Sequence, residues 1–368
     1  VSSRPTVPLL KQLCTSTTGN SPNTGQALIV IKGFLMALKK RMAVTLPAGP
    51  KLADTAARLK WAEDNGYTDA WFGDAGAPDS LTQVAALGQT TSNIRIGVAV
   101  TPVYTRSPSV LAATANVIEQ VIPGRFVLGI GSSSQTIMGQ WNGIPLNKPL
   151  TRVKETAQLV KQMLKGEKTN FQGVTQSSKG YRQMPLENPP PVYIGCLRQN
   201  MIEMAAEVGD GVIFNLWPKG ALPKMMEAVK RGAQRANKDW QDVEVVNRAM
   251  VLCTDDKEYG RNLFRAAFAP YYATPVYNKF LAWAGYEDAA ATISAGWAEK
   301  DRDKTSSALT DELINEIAII GTEGEIQERI QEDADGGVHT HIIAPLAGNI
   351  EDLERTFEAF TAEKFQFS

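Results

Sequence analysis

The sequence predicts an α/β protein, a (β/α)8 TIM barrel with insertions, and three observations carry that expectation. Apolar runs of strand character alternate with amphipathic helical patterns, eight of each, from Arg41 onward. The stretch Ile94–Ser134 is by itself a strand–helix–strand unit, the repeating piece of a parallel sheet. Its two strands end in small or hydroxyl residues, Thr101-Pro102 and Gly131-Ser-Ser-Ser134. Parallel α/β folds bind ligands just beyond such strand ends. A doubly wound open sheet fits the same alternation and is the structural alternative. The chain exceeds the roughly 250 residues typical of the barrel, so insertions are expected.

Residues 1–40 differ in character from the rest of the chain: Val1–Gln26 is rich in Ser, Thr, Pro and Asn without period, and reads as a loose N-terminal extension. The barrel domain is then 41–368. Arg41–Leu46 is the first strand, and Leu52, Ala56 and Leu59 mark a helix that stops at Asn65-Gly66. Asp69–Phe72 is the second strand, and Ser80-x-x-Gln83 is a capping-box pattern before the next helix. After the third strand, Ile94–Val100, Ser107-Pro108 supplies an N-cap and a first-turn proline. In that helix Val110, Thr114, Val117 and Val121 form one face, with Leu111 and Ile118 beside it. Phe126–Ile130 is the fourth strand. Arg152–Leu164 is helical, and 165–190 is a loop or small hairpin. Pro191–Gly195 and Gly211–Phe214 are strands five and six, with a helix over Met201–Val208 between them. Leu222–Ala236 is a helix and Val243–Cys253 strand seven. Residues 257–304, rich in Ala and aromatics, read as a helical insertion. Thr322-x-x-Glu325 caps a further helix, His339–Pro345 is strand eight, and Ile350–Ala362 closes the chain.

Composition excludes several functional classes. Net charge is −1, from 38 basic and 39 acidic side chains, so no field favours nucleic acid or an anionic membrane. Cys14, Cys196 and Cys253 are few, odd in number and far apart, as expected of a reducing cytoplasmic setting without a disulfide framework. No apolar run approaches the roughly 18–20 residues of a membrane span.

An ordered set of motifs runs along the chain: Ala70-Trp-Phe-Gly-Asp74, Ile94-Arg-Ile-Gly97 through Tyr104-Thr-Arg-Ser-Pro108, Gly124–Gly131, Pro191–Gly195, Gly209-Asp-Gly211 and Gly321-Thr-x-x-Glu-Ile326. In this set the chain resembles the bacterial luciferase-like oxidoreductases, a barrel family using flavin or the deazaflavin coenzyme F420. Tyr-Thr-Arg-x-Pro is similar to the methylenetetrahydromethanopterin reductase branch, which uses coenzyme F420. The resemblance implies an oxidoreductase exchanging hydride between coenzyme F420 and a small organic substrate. The alternatives are an FMN-dependent monooxygenase fed with reduced flavin by a partner reductase, and a flavin-binding barrel without catalysis. A homo-oligomer, as a dimer, is implied too.

It also assigns the site. Ala99, Val100 and Thr101 fall where the family carries a bulge with a non-prolyl cis peptide under the coenzyme ring. Gly129, Gly131, Ser132, Ser133 and Ser134 offer backbone N–H groups and hydroxyls to phosphate or a ribityl chain, although a strand-to-loop turn explains the same residues. Gly195, Cys196 and Arg198, at the rim after strand five, are expected contacts of the coenzyme. Asp74 could accept a substrate proton or cap its turn, and Ala75 stands where the family usually has histidine. Arg106 and Arg198, at loop starts after strands three and five, could pair with phosphate or carboxylates. Trp141 and Trp217 could wall the pocket. His339 and His341 share one strand face, which meets the ligand if it points inward. Of Asn247 and Arg248, one must face the barrel, and would then be a substrate contact.

Overall fold

A computed structural model describes residues 38–368 apart from 48, 75 and 77. The N-terminal extension expected from the sequence lies, through residue 37, outside the described residues. The described residues begin slightly before the expected boundary, and Lys40 donates its Nζ to the Val338 carbonyl at 3.0 Å.

In chain order the elements are β1 (Arg41–Thr45), α1 (Leu52–Asp64), β2 (Asp69–Phe72), α2 (Ser80–Leu87), β3 (Arg95–Val98), β4 (Thr101–Pro102), α3 (Pro108–Val121) and β5 (Phe126–Gly131). Next come α4 (Pro149–Leu164), a hairpin of β6 (Asn170–Gln172) and β7 (Ser177–Lys179), β8 (Val192–Gly195), α5 (Gln199–Val208), β9 (Gly211–Asn215) and α6 (Leu222–Arg235). The last part runs β10 (Glu244–Cys253), α7 (Lys257–Tyr272), α8 (Pro275–Trp283), α9 (Glu287–Glu299), α10 (Arg302–Ser307), α11 (Asp311–Ile317), β11 (Ile319–Gly321), α12 (Glu323–Asp335), β12 (Thr340–Pro345) and α13 (Ile350–Glu358). β1, β2, β3, β5, β8, β9, β10 and β12 pair in that order, all parallel, and β12 returns to β1. The sheet is therefore a closed eight-stranded barrel, which excludes the open-sheet alternative. Helices α7 to α10 occupy the insertion expected at 257–304.

Strand alternation sends every second side chain inward. Ala43, Trp71, Val127, Ile213, Val246 and Ile342 fill the middle layer. Trp71 is the largest of these, and Gly97 across from it makes the room: a Cβ there would lie 2.4 Å from the indole. Below them, at the amino ends of the strands, the inward layer is charged. Arg95 donates to Asp69 and, through Nη1 at 2.9 Å, to Glu244. Glu244 also accepts from Thr340 and from Tyr193, and Arg41 donates to Asp69 at 2.6 Å.

Local corrections have physical reasons. On α3 the buried stripe is Leu111, Ala112, Ala115, Ile118 and Glu119, and Val110 and Val117 are exposed at 50% and 55%. Both stripes have the helical period; the small alanines win because they let the helix approach the sheet closely. α2 is capped by Asp79, whose Oδ1 accepts from Thr82 N at 2.7 Å, rather than by Ser80. The carboxylate one residue earlier is the stronger cap for a helix N-terminus. Strands β4 and β11 were not expected; at two and three residues they carry no period of their own. Among the described residues no helix is long and apolar enough to cross a membrane.

The histidines do not reach the ligand end. His341 pairs in register with Met42 near the start of β12, on the outer face, where its ring packs 5.3 Å from Phe367. Neither of its nitrogens makes a hydrogen bond among the described residues. His339 accepts from Val245 N at 3.0 Å. Burial, with Lys40 nearby, pulls His341 down to about 3 and His339 to about 4. The unfolded chain binds protons at these imidazoles near pH 6.5 and the folded chain does not, so stability falls as pH drops below that value. His341→Leu is expected to recover roughly 2 kcal/mol of the loss at pH 5. Urea denaturation of both proteins at pH 7.5 and pH 5 checks this; equal pH slopes would refute it.

Candidate functional site

At the carboxyl ends of the strands the barrel wall is interrupted once in register. β3 pairs Gly97 with Val127, whereas β4 pairs Thr101 with Ile130, so the bulged strand has gained one residue. Ala99 and Val100 together oppose Gly129, and both pack on the inner face of the barrel. The Ala99–Val100 peptide is cis, as the family resemblance implies.

The neighbouring glycines seat this bulge. A Cβ on Gly129 would lie 1.8 Å from the Val98 carbonyl, one on Gly131 would meet Val100 Cγ2 at 2.5 Å, and one on Gly195 would meet Val100 Cγ1 at 3.1 Å. Gly129 and Gly131 are buried. Their absent side chains make room for Val98 and Val100, and this corrects the expectation that they lay N–H groups open to an anion. Thr101 is corrected too. It is wholly buried on the face it shares with Ile130, toward the helices, and its Oγ1 has no partner among the described residues.

Polar groups line the rim just beyond. Ser132, Ser133 and Ser134 are half-buried, with Ser133 held at φ 60°. Ser134 Oγ accepts from Ile137 N at 3.2 Å, while Ser133 Oγ has no partner among the described residues. β8 is the next strand round, so the segment after it sits beside these serines. There Arg198 is exposed, makes no ion pair among the described residues, and occupies the N-cap position of α5. The unpaired N–H groups of that helix start add partial positive charge. Cys196 does not join them. Its side chain belongs to the main core between sheet and helices, its N–H bonds the Ile213 carbonyl at 3.1 Å, and burial pushes its thiol up. Side-chain contact with a ligand at the mouth is therefore excluded for Cys196.

Asp74 lies just after the second strand at this rim with 8% of its side chain exposed, and its Oδ2 accepts from Arg106 Nη1 at 2.9 Å. Arg106 also bonds Asp79, so it ties the loops after β2 and β4 together and is not free for a phosphate. Asp74 Oδ1 makes no hydrogen bond among the described residues. Trp141 is 62% exposed, 3.6 Å from where a Gly76 side chain would begin, and so overhangs the same loop. Trp217 is buried, its Nε1 donating to Asn247 at 2.8 Å on the outer face of β10. It packs the wall and does not line the mouth.

Arg248 is therefore the inward member of its pair. Asn215 and Tyr277 accompany it and were missed by sequence reasoning. A lone amide at the end of the apolar run Gly211–Asn215 was the available signal for the first; Tyr277, on the inserted helix α8, left none.

The model of the luciferase-like monooxygenase family matches residues 33–340 of the chain. Two 5,10-methylenetetrahydromethanopterin reductases resemble it along most of their length. The protein of Archaeoglobus fulgidus is 27% identical over 78% of this chain and 87% of its own. That of Methanolobus tindarius is 28% identical over 83% and 94%. The solved coenzyme F420-dependent tetrahydromethanopterin reductase of Methanopyrus kandleri superposes with a TM-score of 0.74 at 19% identity, covering 88% of this chain and 98% of its own. With its closed barrel, bulged third strand and family-length match, the chain belongs to the luciferase-like monooxygenase family.

Proposed function

We propose that the protein is an oxidoreductase of this family that binds coenzyme F420 across the β3, β5 and β8 side of the barrel mouth and exchanges hydride with a small organic substrate. One observation carries the reading: this side of the mouth changes from apolar to cationic along a single path. It starts at the inward Ala99–Val100 bulge, passes Ser132–Ser134 and ends at the uncompensated Arg198 on a helix N-terminus. A coenzyme with a flat apolar ring at one end and an anionic tail at the other matches that order. Likeness to two methylenetetrahydromethanopterin reductases over most of the chain, with relatives named as coenzyme F420-dependent beside them, supports deazaflavin over FMN.

When bound, the coenzyme supplies the ring carbon that gives or takes hydride. The chain does the rest. Ala99 and Val100 support the ring, the serine hydroxyls and Arg198 hold the tail, and Trp141 shields the loop of Asp74 from water. Asp74, anchored by Arg106, offers its free Oδ1 to a substrate proton.

Fluorescence titration of the purified protein with coenzyme F420 and, separately, FMN tests the reading. Saturable F420 binding is expected, weakened about tenfold by Arg198→Ala through loss of a charge-assisted contact. Binding of neither coenzyme would remove the proposal, and oxygen uptake with reduced FMN alone would reassign the chemistry to monooxygenation.

A further inference from the structure

Arg248 is a half-buried guanidinium on the inner face of β10, and among the described residues no carboxylate lies within ion-pair reach of it. The contrast with its neighbours is sharp. Arg41 and Arg95 are satisfied by Asp69 and Glu244 below, and Arg106 by Asp74 and Asp79 at the rim. Arg248 has instead one neutral partner: its Nη1 donates to Asn215 Oδ1 at 3.3 Å. Asn215 in turn donates Nδ2 to Tyr277 Oη at 2.9 Å. That arrangement uses the tyrosine oxygen as acceptor and turns its proton toward the neighbouring Tyr271 hydroxyl, which also stands beside Arg248. Burial pushes the Tyr277 hydroxyl up, so it stays a donor, and the Tyr271 ring packs 4.6 Å from it. Burial also pulls Arg248 down, the mark of a charge held out of water without an anion beside it.

Placement adds direction. Counting round the closed barrel, β10 stands opposite β3. A ring resting on Ala99 and Val100 therefore has Arg248 on the facing wall, with the substrate between. Met250 and Ala344, paired one step further along β10 and β12, give that wall an apolar margin.

We propose that Arg248, Asn215 and Tyr277 form the receptor for the carboxylate of an organic-acid substrate. The proposal deepens the hydride-transfer reading and rests on it for calling that acid the substrate. Two free guanidinium nitrogens match the two oxygens of a carboxylate, and the Tyr277–Tyr271 hydroxyl pair supplies one further proton beside them. The cluster holds one positive charge, which balances a monoanion; a phosphate dianion calls for a second cation, and the hydrogen-bonded group contains none.

The test is calorimetric titration of the full chain with acetate and benzoate, with benzamide as the neutral analogue and inorganic phosphate as the competing anion. Each is run with and without coenzyme F420. Benzoate is expected to bind at least tenfold more tightly than benzamide. Arg248→Gln should weaken it at least tenfold and Tyr277→Phe severalfold, while both variants titrate coenzyme F420 as the wild type does. Tyr277→Phe changes one hydroxyl, so it remains informative if Arg248→Gln fails to fold. The proposal is overturned if neither carboxylate binds the wild type, if Arg248→Gln binds benzoate unchanged, or if phosphate alone shows the dependence on Arg248. Failure of coenzyme F420 to bind, with carboxylate binding intact, would count against the coenzyme assignment and leave the receptor standing.

Discussion

Replacing Glu244 by glutamine is expected to destabilise the fold by about 3–5 kcal/mol, the usual cost of removing one partner from a buried ion pair. Glu244 sits at the floor of the barrel with 6% of its side chain exposed, and it receives Arg95, Thr340 and Tyr193 together. Burial alone would raise its pKa, but the hydrogen bonds and charge of Arg95, then Thr340 and Tyr193, outweigh burial and hold the carboxyl at about 2. Because the folded form releases its proton more readily than the unfolded one, this stabilisation is present above about pH 4.5 and is lost as pH falls toward 2. Urea denaturation at pH 7 should show the midpoint drop at constant slope, and the variant should lose the acid limb of its pH–stability curve. A double variant, Arg95→Met with Glu244→Met, should lie closer to wild type than the sum of the singles, since Asp69 keeps Arg41. A loss below 1 kcal/mol for Glu244→Gln would show that the floor layer is not held by charge.

That floor explains why so much of the fold was legible and so little of the site. The motifs that carry the family resemblance are, for the most part, devices that hold the barrel. In Ile94-Arg-Ile-Gly97, Arg95 closes the floor and Gly97 admits Trp71. In Gly124-Arg-Phe, Arg125 donates to the carbonyls of Gly88, Thr91 and Ile94. In Gly209-Asp-Gly211, Asp210 accepts from Val192 N and Lys161. Glu325 in the last motif accepts from Thr322 N. Most of these tie residues close in sequence or in adjacent strands, the span from Arg95 to Glu244 across the floor being the exception, so the pattern is visible along the chain. The substrate side is built differently. Arg248, Asn215 and Tyr277 come from two strands and an inserted helix, and only closure of the barrel brings them together. Alternation along β10 showed that Asn247 or Arg248 faces inward; it could not say which, because bulges and register decide that. The errors at Thr101 and Cys196 have the same origin. Both were placed at the rim correctly by segment, but the face each side chain takes is set by the one-residue bulge at Ala99–Val100 and by strand β8 turning its odd-numbered residues inward.

The second large effect falls on that bulge. Gly129→Ala is expected to abolish coenzyme F420 binding, by a hundredfold or more, and to cost about 1–3 kcal/mol of stability through overpacking. The added methyl meets a backbone carbonyl, that of Val98, at 1.8 Å, and no rotamer change relieves a contact between two main chains. Either β3 moves away from β5 or the bulge is lost. In both cases Ala99 and Val100 leave the plane proposed to support the ring, while Arg198 and the serines, anchored on β5 and β8, stay in place. Gly324→Ala is the matched control: it lies in α12 with nothing within 4 Å of the added methyl, and should be neutral or stabilising by up to about 1 kcal/mol. Parallel denaturation and coenzyme titration of the two variants separate a general loss of fold from a specific loss of the bulge. If Gly129→Ala folds and still binds the coenzyme with wild-type affinity, the ring does not rest on Ala99 and Val100, and the coenzyme must be placed against another part of the rim.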